Sequence, residues 1–123
     1  CPNVSWDKMV ELYNRASLFW HCKGFGEDDP YMLEHFGMTT VEAMGAGCVP
    51  VVIDRGGQSE IVTDGSGFKW ERVDDLVRRS EELARDPELL SRMSRAARER
   101  AAFFYTDSFR ERLRGILEEQ LSD

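Results

Sequence analysis

A chain of 123 residues can close one hydrophobic core, so a single domain is expected. Its formal net charge of -7, from 16 Lys and Arg against 23 Asp and Glu, argues against a dedicated nucleic-acid surface. No apolar run is long enough to span a bilayer, and the first residues lack the apolar core of a signal peptide. Three cysteines, an odd number without framework spacing, point to reduced thiols and a cytoplasmic setting. Cys22 and Cys48 read as small buried hydrophobes, and Cys1 as a cut end.

The chain opens with an amphipathic helix over Ser5 to Arg15. Asn3 or Ser5 is its cap, and Met9, Val10, Leu12 and Tyr13 form its inward face. The apolar and aromatic run Ser17 to Cys22 reads as a strand. A glycine- and acid-rich loop follows over Lys23 to Leu33, long enough to be a lid or a docking element. Glu27, Asp28 and Asp29 fit a solvated acidic loop better than a cation loop, since their spacing matches no EF-hand. For His21, a structural role and a ligand contact are both open.

The stretch from Glu34 to Ile53 organises the rest. It reads as a loop, a short helix capped by Thr39 or Thr40, a glycine stop at Gly47, and a buried β-branched strand over Val49 to Ile53. Pro50 lacks an N–H and so belongs among that strand's first residues. Glu34 and Glu42 bracket the helix N-terminus. Free N–H groups and the positive helix end suit phosphate, while carboxylates accept hydrogen bonds from hydroxyls, which together fit a sugar nucleotide.

Asp54 to Gly57 then forms a second loop, Gln58 to Val62 a short helix, and Gly67 to Trp70 a last short strand. Val73 to Arg85 is helical, with Leu76, Val77 and Leu83 on one face. Pro87 starts a further helix carrying Leu89, Leu90, Met93 and Ala97. A break at Tyr105 and Thr106 precedes a final helix capped by Thr106 or Asp107, with Phe109, Leu113, Ile116 and Leu117 inward. The Arg and Glu residues of the last two helices read as solvated faces with helical ion pairs. The fold class expected is α/β, a Rossmann-like three-layer domain with a small parallel sheet flanked by helices.

One pattern carries a resemblance. Glu34-x-Phe36-Gly37, then Glu42-Ala43-Met44-x-Ala46-Gly47-x-Val49-Pro50-Val51, resembles the signature of retaining GT-B glycosyltransferases of the group 1 (family 4) class. Gly56-Gly57-Gln58-Ser59-Glu60-Ile61-Val62 extends it, and the likeness runs from about Ser5 to the C-terminus. It implies the C-terminal, donor-binding domain of a two-domain enzyme, which needs roughly two to three times this length. Residues 1–123 are therefore expected to be a single partial domain. The Lys23–Leu33 loop is longer than the commonest family pattern.

The resemblance assigns Glu34 as the catalytic carboxylate, contacting the donor sugar and acting at its anomeric carbon, as a nucleophile or by stabilising positive charge there. Phe36, Gly37, Met38, Thr39, Thr40, Val41 and Glu42 would bind the nucleotide sugar. Glu42 would accept from the ribose hydroxyls. On pattern alone it instead completes a capping box with Thr39. Val41 fits the ribose or base side and equally a core position.

No metal site and no cofactor are expected, because such enzymes neutralise the leaving diphosphate with basic side chains and a helix dipole. The expected partners are the nucleotide-sugar donor and an N-terminal acceptor-binding domain, which would also carry any peripheral membrane attachment. A C-terminal helix of this kind would reach back towards that domain. Alternatives are a GT-B-like phosphorylase or epimerase, or a non-catalytic binding module on the same fold.

Overall fold

The computed structural model describes residues 3–121; Cys1 lies outside them. Three parallel strands form the centre, β1 (Leu18–His21), β2 (Val49–Ile53) and β3 (Phe68–Trp70), in the order β1-β2-β3. Leu18 pairs with Val49 and Val51 with Phe68. Around them lie α1 (Trp6–Arg15), α2 (Met38–Ala46), α3 (Gln58–Ile61), α4 (Val73–Arg85), α5 (Pro87–Ala102) and α6 (Thr106–Leu121). A 3-10 turn spans Pro30–Met32.

β2 is the middle strand, and all five of its residues are buried. Val52 faces one layer with Met44, Ile61, Val62, Ala97 and Ala101. Val49, Val51 and Ile53 face the other with Trp70, Leu76, Leu83 and Met93. Burial on both faces explains the unbroken apolar run, each such side chain contributing about 1.5–3 kcal/mol. Pro50 is tolerated in the central strand because β3 pairs only from Val51 onward, so its missing N–H falls outside the ladder. Gly67 lies directly against it, where a Cβ would come 2.5 Å from Pro50 Cγ.

Ser5 caps α1 by accepting from the Lys8 N–H, and Pro87 begins α5 behind the Asp86 cap. α2 starts differently from the expectation. Its cap is Gly37 at φ 106, which leaves Thr39 and Thr40 inside the first turn. A capping box between Thr39 and Glu42 is thereby ruled out, because Glu42 sits five residues past the cap. Gly47 ends the helix at φ 98, as its sequence position suggests.

Four burial expectations are corrected. On α1, Val10 and Leu12 are exposed, while Met9 and Tyr13 are half-buried. On α4, Leu76, Ser80 and Leu83 fill the inward stripe, and Val77, one step round the helix, is 51% exposed. Phe109, Leu113, Ile116 and Leu117 of α6 are all exposed, because no described element covers that face. Cys22 is exposed too, whereas Cys48 is buried, with its S–H directed at the Tyr13 and Ala16 carbonyls. No helix among the described residues is long and apolar enough to cross a membrane.

The contrast between core and uncovered face is measurable. Leu83→Ala should cost about 2–5 kcal/mol, and Leu113→Ala within about 0.5 kcal/mol, read as urea midpoints with unchanged m-values.

Candidate functional site

In a parallel sheet flanked by helices, ligands collect outside the C-terminal strand ends. Here that edge holds the loop after β1 (residues 22–37) and the loop after β2 (residues 54–57). The two loops touch chiefly through main chain. The Gly57 N–H donates to the Glu34 carbonyl at 2.7 Å. A Cβ on Gly57 would fall 2.4 Å from the His35 oxygen, and one on Gly56 2.4 Å from that of Glu34. The Gly-Gly pair is thus what lets the second loop pass under the first. Arg55 adds a tether, its Nη1 donating to the Gly24 carbonyl at 2.7 Å.

The Glu34 side chain, half-buried, turns towards β1. Its Oε2 lies 3.5 Å from Lys23 Nζ and 3.9 Å from His21 Nε2. Burial pushes the His21 imidazole below its ordinary pKa, Glu34 opposes the shift, and Lys23 adds to it. The cationic partner of Glu34 at neutral pH is therefore Lys23, and His21 is a neutral neighbour. His21 Nδ1 is buried without a hydrogen-bond partner.

Gly37 brings the chain from Glu34 into α2. Its positive φ and the space next to it both require glycine, since a Cβ would meet Gln58 Nε2 at 2.4 Å. Gln58 is fully buried and accepts from Thr40 Oγ1 at 2.9 Å, which fixes the start of α3 against the start of α2. The Thr40 side chain consequently faces inward. No side chain caps α2, so the first-turn N–H groups of Met38 and Thr39 are left without a helical acceptor. Thr39 is exposed beside them.

Phe36, Met38, Val41 and Glu42 share the wall of one cavity of about 600 Å³, formed between α1, α2 and the turn after α5. Trp6 and Tyr105 also line it. The Phe36 ring stands edge-on to Phe104, with centroids 5.7 Å apart. Burial, and after it the Glu42 carboxylate, push the Tyr13 phenol above its ordinary pKa; Tyr13 and Glu42 line the same cavity.

Of the expected site residues, Gly37, Met38 and Thr39 form the helix start, and Phe36, Met38, Val41 and Glu42 the cavity wall. Glu34 sits with Lys23 at the strand edge, and Thr40 packs inward. Sequence reasoning passed over Gln58, Trp6 and Tyr105. For Gln58 the only signal was its place after Gly-Gly; Tyr105 read merely as a helix break. The acidic run is solvated, with Asp29 accepting from the Tyr31 N–H at the 3-10 turn. Among the described residues, no group of three or more His, Cys, Asp or Glu is placed to hold a metal ion.

The domain is thus a Rossmann-like α/β unit, with Glu34 on the loop after β1 and Glu42 on the glycine-capped helix that follows it. The family model described as glycosyl transferases group 1 matches residues 1–100, and the chain belongs to that family. A search of curated proteins found no match.

The depressed His21 pKa has a signed consequence. The folded state binds the proton less readily than the unfolded chain, so this contribution is complete above the unfolded value of about 6.5 and is lost as pH falls below it. Urea midpoints across pH 7.5 to 5 should therefore fall more for the parent than for His21→Gln. A ring titration by NMR should place the His21 midpoint below 6.5; a midpoint above it would refute the assignment.

Proposed function

We propose that the chain is the donor-binding part of a retaining glycosyltransferase of the GT-B type, which moves a hexosyl group from a nucleotide diphosphate sugar to an acceptor. The observation that carries this reading is the shared wall: Phe36, Met38, Val41 and Glu42 line one cavity at the uncapped start of α2. In this reading the nucleoside enters the cavity and its ribose hydroxyls donate to Glu42. The diphosphate meets the free N–H groups of Met38 and Thr39 and the positive end of α2. The sugar lies towards Glu34, whose carboxylate accepts from a hydroxyl and stabilises positive charge growing at the anomeric carbon.

The leaving diphosphate is neutralised by the helix dipole and basic side chains, without a divalent metal. Lys23 and Arg55 are engaged with Glu34 and the Gly24 carbonyl, so further basic groups come from an upstream part of the enzyme. That part also supplies the acceptor site and any attachment to a membrane surface, and the enzyme works in the cytoplasm. Residues 1–123 then bind donor nucleotide weakly and do not catalyse transfer on their own.

A titration with UDP, GDP and ADP, followed by chemical shifts and thermal stability, tests this. One nucleotide should bind saturably, and Glu42→Ala should weaken it at least about tenfold through lost charge-assisted hydrogen bonds. No saturable binding by the folded chain, or undiminished binding by Glu42→Ala, would overturn the assignment of the cavity. Sugar transfer by the chain alone would overturn the division of labour.

A further inference from the structure

The family match ends at residue 100, yet the cavity continues past it. Phe104, Tyr105 and Thr106 form the part of its wall contributed by the turn between α5 and α6. Tyr105 is 49% exposed, and its hydroxyl has no hydrogen-bond partner among the described residues. That hydroxyl lies over Gly45, where an added Cβ would stand only 2.9 Å from it. Gly45 follows Glu42 by three residues, so both sit on one face of α2, and Tyr105 and Glu42 line the same cavity about one helical turn apart along that face.

The turn itself is fixed. Arg100 donates to the Glu60 and Ile61 carbonyls at 2.7 and 2.9 Å, and its guanidinium lies 4.8 Å from the Phe104 ring centroid. Arg112 lies over Phe103 at 3.8 Å and bonds the Phe103 carbonyl. A tyrosine on a braced turn, with an unengaged hydroxyl in a cavity shared with a carboxylate, is equipped to contact a hydroxyl-bearing ligand.

We propose that Tyr105 is a specificity-determining residue of the nucleoside site, its hydroxyl bonding the same ribose that Glu42 holds, so that a ribonucleotide is preferred over its deoxy analogue. This rests on the nucleotide-binding reading of the cavity.

The test is an NMR or calorimetric titration of the full chain with the best-binding nucleoside diphosphate and its 2′-deoxy and 3′-deoxy analogues. Tyr105→Phe should weaken the ribonucleotide about three- to tenfold, the range for one lost neutral hydrogen bond. It should leave unchanged the affinity of whichever analogue lacks the contacted hydroxyl. Gly45→Ala provides a second variant that keeps the fold. Alanine favours the helix over glycine, while its methyl displaces the Tyr105 hydroxyl. It should weaken the ribonucleotide similarly, and add little once Tyr105 is Phe.

If Tyr105→Phe binds as the parent does while Glu42→Ala does not, the Tyr105 assignment fails and the cavity assignment stands. An equal loss for the ribonucleotide and both analogues overturns the ribose contact. Absence of nucleotide binding by the folded parent removes the cavity reading, and this inference with it.

Discussion

One main-chain hydrogen bond, from the Gly57 N–H to the Glu34 carbonyl, holds the site together. It joins the loops that follow β1 and β2, and it forms only because neither Gly56 nor Gly57 carries a Cβ. From that contact the chain runs one way into Gln58, which packs against Gly37 and Thr40. It runs the other way through His35 and Phe36 to the same Gly37. The start of α2, the start of α3 and the position of Glu34 are consequently one mechanical unit. Few alternatives exist for a loop crossing this close, because any side chain there would have to displace backbone atoms.

The two carboxylates of the motif end up in different surroundings. Glu34 faces Lys23 across 3.5 Å at a partly solvated strand end, where such a pair is worth little in stability and serves mainly to fix orientation. Glu42 stands on an apolar wall beside Tyr13, and no ion pair to it occurs among the described residues. A carboxylate placed so keeps its acceptor capacity for donors arriving from outside. A chain with a net charge of -7 repels anions at a distance. In the proposed reading, attraction for phosphate must therefore be local, and the uncapped first turn of α2 would supply it.

Much of this was legible in the sequence, for stated physical reasons. The β2 run is apolar throughout because it is covered on both faces, and Gly47 marks a helix end because only glycine takes that conformation readily. Pro50 sits where a ladder bond is not needed. Other features were hidden because they depend on tertiary contact. Thr39 and Thr40 have cap chemistry, but the cap position went to Gly37 once Gln58 occupied the space beside it. Cys22 looked like a small hydrophobe at a strand end, and its strand stops one residue earlier, leaving it in solvent. For Tyr105, the break between two helices was readable, while the direction of its ring depends on how Arg100 and Arg112 grip the turn.

α1 and α6 follow the same logic from the other side. Their apolar stripes have helical period, yet Val10 and Leu12 on α1 and Phe109, Leu113, Ile116 and Leu117 on α6 remain exposed. Periodicity records that a face is apolar, not what lies against it. What attaches α6 is concentrated at its beginning: Ser108 Oγ donates to the Ala102 carbonyl, and Arg112 grips Phe103 by hydrogen bond and ring. The first turns of α6 therefore serve the segment before them, bracing Phe103 to Tyr105 as a firm wall for the cavity. The remaining turns contribute almost nothing to the core. A helix anchored at its start can hold the site on one side while presenting its apolar stripe to solvent, and both properties follow from the same few contacts.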